Sequence, residues 1–170
     1  MKIAVISDTH DHVWHTQQAV EQANKSGAEI ILHCGDLVSP FLLEEFDGFT
    51  GQFHLVTGNN PGDMALLERM ITKRNPHFMY HGLIGKLEIA DFKIAWTHDP
   101  QTGYYIAKSG EFDLVAFGHT HRWHLETINR TSFLNPGEIL GRKEPPGWAL
   151  VELKKDREHK QVNITQIKVS

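Results

Sequence analysis

His119 and His121 stand two residues apart in the segment FGHTHRWH, directly after the apolar run Leu114-Val115-Ala116-Phe117. A buried strand rarely ends on imidazoles, and histidine is the commonest metal ligand. Other short polar clusters follow apolar runs in the same way: SDTH at 7–10, CGDLVSP at 34–40, TGNNPGD at 57–63 and WTHD at 96–99. They carry Asp8, His10, Asp36, Asn59 and His98. Taken alone, each pair is better read as chance or as a satisfied surface pair; the weight lies in the repetition at successive strand ends. Two carboxylates, one amide and four imidazoles suit a borderline divalent ion, manganese first, with iron, nickel, cobalt and zinc compatible. Magnesium or calcium would favour more oxygen ligands. Seven donors exceed one tetrahedral site. A carboxylate can bridge, so two ions about 3.5–4 Å apart are the economical arrangement.

Strand ends must bring these side chains together. Residues 2–7, 29–34 and 52–57 read as strands, separated by helix-like stretches. The first helix is expected from about His12 to Lys25, capped by Asp11 and ended by Gly27, and a short one near Phe41 to Phe46. Met64, Leu67, Met70 and Ile71 recur at helical spacing before Lys73-Arg74, which suit a helix C-terminus. Strands alternating with helices predict a parallel sheet, whose carboxyl-terminal rim is where ligands bind. After residue 80 the pattern changes to a hairpin around Ala90-Asp91, strand-like runs at 113–118 and 123–128, and two C-terminal runs flanking a solvated DREH turn. The expectation is α/β, a parallel half followed by an antiparallel half, forming two packed sheets with helices outside.

The totals narrow the field. At 170 residues the chain is expected to be one domain over residues 1–170. The opening apolar run at 3–6 is too short for a signal peptide or a membrane span. Cys34 is the only cysteine, which excludes an internal disulfide and predicts a cytoplasmic home. A net charge of -4 argues against a broad basic face for duplex nucleic acid. No membrane partner is expected, and homo-oligomerisation is left open.

The motifs DTH, GD, GN, TH and GHTH, in this order and spacing, resemble the calcineurin-like metallophosphoesterases, closest to the small single-domain bacterial and archaeal phosphodiesterase branch. The resemblance runs from Met1 to about Gly137, where NPG at 135–137 also matches. It implies two mixed β-sheets flanked by helices in a four-layer sandwich. It also implies hydrolysis of a small phosphoester by in-line attack of a hydroxide bridging two metal ions. Carried over by motif, Asp8, His10 and His121 hold the first ion, Asn59, His98 and His119 the second, and Asp36 bridges both.

Two positions depart from the family pattern. Many members follow Gly-Asn with a histidine that protonates the leaving group, and the small branch often has cysteine there; this chain has Asn60. A glycine often follows the histidine at 98, where this chain has Asp99. Neutral Asn60 supplies no proton and is expected to donate hydrogen bonds to a phosphoryl oxygen. That keeps alive a second reading, a metal-binding scaffold of the same fold with little catalysis. An amidohydrolase barrel needs about 250 residues, which makes that reading a distant third for 170 residues. Cys34 reads as a small buried hydrophobe. His12, His33, His77, His81 and His124 read as surface or helix-start residues, with a supporting role behind the ligands or as proton donors the alternative, whereas His15, His54 and His159 carry no signal.

Overall fold

The computed structural model describes residues 1–157 and 159–169. Alternation of side chains along the first strand sets the architecture. In β1 (Lys2–Ile6), Ile3 and Val5 face one way and Ala4 and Ile6 the other, and all four are fully buried. A strand apolar on both faces must be covered on both.

One face of β1 is covered by helices. Ala4 and Ile6 pack with α1 (Val13–Ser26), a 3-10 helix (Pro40–Phe46) and α2 (Met64–Arg74), through residues such as Ala19, Val20, Leu43, Phe46, Leu67 and Ile71. The other face meets a second sheet. Ile3, Val5, Ile30 and Leu32 pack against Phe92, Ile94, Trp96, Leu114 and Leu134. Each such side chain contributes about 1.5–3 kcal/mol on burial, so this interface fixes how the sheets sit on each other.

The first sheet runs β11-β10-β1-β2-β3-β4. β1, β2 (Ile30–His33), β3 (Gln52–Leu55) and β4 (Phe78–Tyr80) are parallel, with Ile3 opposite Ile30 and Ile30 opposite Gln52. The hairpin of β10 (Gly147–Asp156) and β11 (His159–Lys168) adds antiparallel to β1, with Lys2 opposite Glu152. Within the expected DREH turn, Glu158 lies outside the described residues. The second sheet runs β5-β6-β7-β9-β8, from β5 (Ile84–Ile89), β6 (Phe92–Thr97), β7 (Leu114–Ala116), β8 (Trp123–Ile128) and β9 (Thr131–Pro136). Its outer face is covered by α3 (Pro100–Lys108), where Ala107 packs with Ala95, Val115 and Phe133. The layers are therefore helix, sheet, sheet, helix. Among the described residues, no helix is long and apolar enough to cross a membrane.

Ala90 and Asp91, both at positive φ, form the two-residue turn of the β5–β6 hairpin, as their backbone twist requires. Two expectations need correcting. The second half is not wholly antiparallel: β5–β6 and β8–β9 pair antiparallel, whereas β6, β7 and β9 run parallel, with the unforeseen α3 as the crossover from β6 to β7 and β8 as the connection from β7 to β9. Asp11 does not cap α1. The cap is His12, whose Nδ1 accepts from His15 N at 3.2 Å, while Asp11 Oδ1 accepts from Ser39 N at 2.7 Å.

Candidate metal centre

The seven predicted side chains meet on one rim. Asp8 and His10 follow β1, Asp36 follows β2, Asn59 follows β3, His98 follows β6, and His119 and His121 follow β7. Backbone hydrogen bonds lock these strand ends together: Asp8 N to Gly35 O at 3.1 Å, His10 N to Asp36 O at 3.1 Å, and Gly118 N to His98 O at 3.1 Å. Gly118 lets them close. A Cβ there would stand 2.1 Å from Ser7 Oγ and 3.0 Å from Asp8 Oδ2.

Five of the seven hold left-handed backbone: Asp8 (φ 54°), His10 (41°), Asp36 (54°), His119 (69°) and His121 (61°). Each such conformation costs an ordinary residue about 1–2 kcal/mol. Strain concentrated this way marks a functional site.

Two clusters of donor atoms result, and they share Asp8: one of Asp8, His10 and His121, the other of Asp8, Asp36 and His98. His121 Nε2 lies 3.3 Å and His10 Nε2 3.8 Å from Asp8 Oδ1. His10 Nε2 and His98 Nε2 lie 3.4 and 3.5 Å from Asp36 Oδ2. On the outer side, Asn59 Oδ1 faces His98 Nε2 at 2.8 Å and His119 Nδ1 at 2.7 Å. These clusters are the ligand arrangement of a dinuclear divalent-metal cofactor.

Hydrogen bonding tests whether ions fit. Asp8 Oδ1 and His10 Nε2 are buried without a hydrogen-bond partner, a costly state for polar atoms unless something else binds them. The other ring nitrogens point to the same occupant. His98 Nδ1 lies 2.8 Å from Cys34 O, a carbonyl that only accepts, so the neutral ring turns its Nε2 lone pair toward Asn59. His121 Nδ1 lies 2.5 Å from Glu138 Oε2, which likewise leaves an Nε2 lone pair facing Asp8. Acceptors that face each other need a proton or a metal ion between them. The donor set fits metal.

The surrounding residues hold these groups in register. Burial opposes ionisation of the Asp8 carboxyl, but the adjacent His10 and the hydrogen bond from Ser7, with His98 and His121 nearby, hold it below the usual range. Its Oδ2 takes Ser7 Oγ at 2.5 Å and His119 N at 3.1 Å, which leaves Oδ1 for the cluster. The neighbouring Asp8 carboxylate, with the charges of Asp36 and Glu138, raises the His10 pKa against the penalty of burial. Glu138 is buried, yet His121 and the amides of Glu144 and Lys143 outweigh that burial and keep it ionised below its ordinary value.

Asn60 uses both its donors on Asp36: its N reaches Oδ1 at 2.8 Å and its Nδ2 reaches Oδ2 at 2.6 Å. Cys34 is a free, buried thiol. Burial, with Asp8 nearby, pushes its pKa up, which suits a packing role and not ligation.

Sequence reasoning missed two supports. Glu138 directly follows the NPG motif and accepts from His121 Nδ1; the only signal was a carboxylate next to a buried run. His33, where the sequence favours a surface or helix-start position over a supporting one, is fully buried. Its Nδ1 accepts from Gly35 N at 3.2 Å and its Nε2 lies 3.1 Å from Thr9 Oγ1, bracing the loops that carry His10 and Asp36. Burial drives its pKa down to about 3, so it stays neutral.

Comparison with known proteins agrees with this geometry. Residues 1–156 match the calcineurin-like phosphoesterase superfamily domain. The chain is 35% identical to a phosphodiesterase of Methanocaldococcus jannaschii over 143 residues, 83% of this chain and 86% of that protein. It is 31% identical to a probable metallophosphoesterase of Methanothermobacter thermautotrophicus over 146 residues, 81% of this chain and 76% of the other. Among solved structures, an archaeal phosphodiesterase superposes with a TM-score of 0.83 at 30% identity, covering 97% of this chain and all of that one. The zinc complex of Vps29 from Entamoeba histolytica, at 18% identity and a TM-score of 0.65 with both chains fully covered, shares the fold.

Proposed function

The chain belongs to the calcineurin-like phosphoesterase superfamily, its paired clusters have the geometry of a metal-dependent phosphoesterase centre, and we propose that it hydrolyses phosphodiesters. In this reading Asp8, His10 and His121 hold one ion and Asn59, His98 and His119 hold the other; although Asp8 is the donor common to both clusters, Asp36 is the bridge, its Oδ2 standing 3.4 Å from His10 Nε2 and 3.5 Å from His98 Nε2, and manganese is the favoured metal. The observation that carries it is the convergence of the unpaired Asp8 Oδ1 and His10 Nε2 on the Nε2 of His121. Bound there, two dications activate water at neutral pH and neutralise charge on phosphoryl oxygens.

The chain's own residues do the rest. Ser7 and the His119 amide orient Asp8, Glu138 fixes the tautomer of His121, and the Cys34 carbonyl fixes that of His98. Asn60 borders the bridging carboxylate and has no proton to give; once its amide turns from Asp36, it donates a hydrogen bond to a phosphoryl oxygen. No cationic side chain stands at position 60 to balance the second charge of a monoester, which favours the singly charged diester. The motif set supports one such domain over residues 1–170. A single free, buried cysteine accords with a cytoplasmic location.

The absence of a proton donor at Asn60 also favours a second reading, a metal-binding scaffold with little turnover. Manganese-loaded protein assayed on bis-nitrophenyl phosphate and on nitrophenyl phosphate separates the two. Phosphodiesterase function predicts a higher kcat/KM on the diester. Two bound ions with no turnover of either ester would establish the scaffold instead.

A further inference from the structure

A cavity of about 360 Å³ opens beside Asn59, His98 and His119. That is within the size range of small-ligand pockets. Its wall comes from Leu83 and Ile84 at the entry to β5, Thr97 at the end of β6, Thr57 in the loop after β3, and Asp99 and Thr102 at the cap and first turn of α3. Leu83 is 71% exposed and Ile84 38% exposed, so two adjacent apolar side chains are left uncovered at the mouth.

The threonines make this wall less polar than their type suggests. Thr97 Oγ1 donates to Leu83 O at 3.0 Å, Thr102 Oγ1 donates to Asp99 Oδ1 at 2.7 Å, and Thr57 Oγ1 pairs with the Tyr80 hydroxyl. Each hydroxyl is already engaged. Among the described residues lining the cavity there is no lysine or arginine, and Asp99 supplies the one carboxylate. It is anchored by Oδ1, which accepts from both the backbone N and the Oγ1 of Thr102.

We propose that this cavity seats one organic arm of the phosphodiester, selecting an uncharged, largely apolar arm of about one ring's size, while Asp99 repels arms carrying a second negative charge. The proposal rests on the phosphoesterase reading and names the substrate class for it. A small apolar wall gains from burying hydrocarbon and offers no cationic side chain to pair with a second anion. Asp99 thus acts as a specificity residue, and Leu83 as part of the apolar seat.

Phosphonates test this cleanly, because each has one arm and is not hydrolysed. Calorimetric binding of methylphosphonate, phenylphosphonate and para-carboxyphenylphosphonate to manganese-loaded protein gives the comparison. Phenylphosphonate is expected to bind about tenfold or more tighter than methylphosphonate, with the added carboxylate cancelling most of that gain. Asp99→Asn keeps the helix cap and should bring the carboxyphenyl compound close to phenylphosphonate in affinity. Leu83→Ala, at an exposed side chain, should reduce the phenyl advantage. Equal binding of the methyl and phenyl compounds, or an Asp99→Asn variant that still rejects the carboxylate, would overturn the proposal even if diesters are hydrolysed. Failure of every phosphonate to bind the two-ion protein would overturn the phosphoesterase reading itself, and this inference with it.

Discussion

Replacing Glu138 with glutamine isolates the support behind His121. The native carboxylate accepts three hydrogens: Oε2 takes His121 Nδ1–H at 2.5 Å, and Oε1 takes the amides of Glu144 at 3.0 Å and of Lys143. Glutamine has one oxygen and one NH₂. If its oxygen keeps the two loop amides, its NH₂ faces His121 Nδ1, which must then accept. The His121 proton moves to Nε2, the atom aimed at Asp8 Oδ1 3.3 Å away, and is lost as a metal-binding lone pair. Groups that orient ligating histidines contribute about 10–100-fold to metal affinity, or about 1.4–2.7 kcal/mol. The metal-free protein still has every hydrogen bond made, so its melting temperature should move by no more than about 4 °C. Titrating Glu138→Gln with manganese by calorimetry should show one ion weakened by that factor and the other little changed. Wild-type affinity for both ions would refute the tautomer argument. So would an equal loss at both sites accompanied by a large fall in metal-free stability, which would make Glu138 a packing residue.

Other perturbations follow from the same contacts. His33 stays neutral when folded down to about pH 3, whereas in the unfolded chain it takes up a proton near 6.5. Its contribution to stability is therefore complete above about pH 6.5 and falls as pH drops toward 3, by about 2 kcal/mol at pH 5. Denaturant titrations of metal-free protein at pH 7.5 and 5 should show that loss, and His33→Gln should lack it; an equal loss in both proteins would contradict the assignment. Asn60→His should raise activity on alkyl diesters more than on nitrophenyl diesters, because a positioned acid contributes about 10²–10⁴-fold only where the leaving group needs a proton. A wild-type rate that does not vary with leaving-group pKa, with chemistry rate-limiting, would show that another residue already donates.

Much of this site could be read from the chain because its donors sit one to five residues past strands whose apolar runs are unmistakable. Val5 and Ile6 announce Asp8, Leu32 announces Asp36, and Val115 and Ala116 announce His119 and His121. What stayed hidden depends on contacts between distant segments. Glu138 acquires its role only by meeting His121, and His33 by filling the space under Thr9 and Gly35. The helix α3 was obscured by Gly103, a poor helix former in mid-helix. A Cβ there would lie 3.2 Å from Phe133 and 3.3 Å from Phe117, so glycine lets the helix sit close on the sheet. Asp99-Pro100, a capping residue before a proline at the first helical position, was the available signal. Missing α3 hid the parallel pairing of β6 with β7, and with it the cavity that its first turn helps to wall.

The central claim is a pair of ions sharing Asp36. Equilibrium dialysis of the protein against manganese, with metal and protein quantified in the same samples, tests it most directly. Two ions per chain are predicted at saturation, with Asp36→Asn weakening both and His121→Ala chiefly one. Saturation at one ion per chain, with an affinity that Asp36→Asn leaves unchanged, would contradict it.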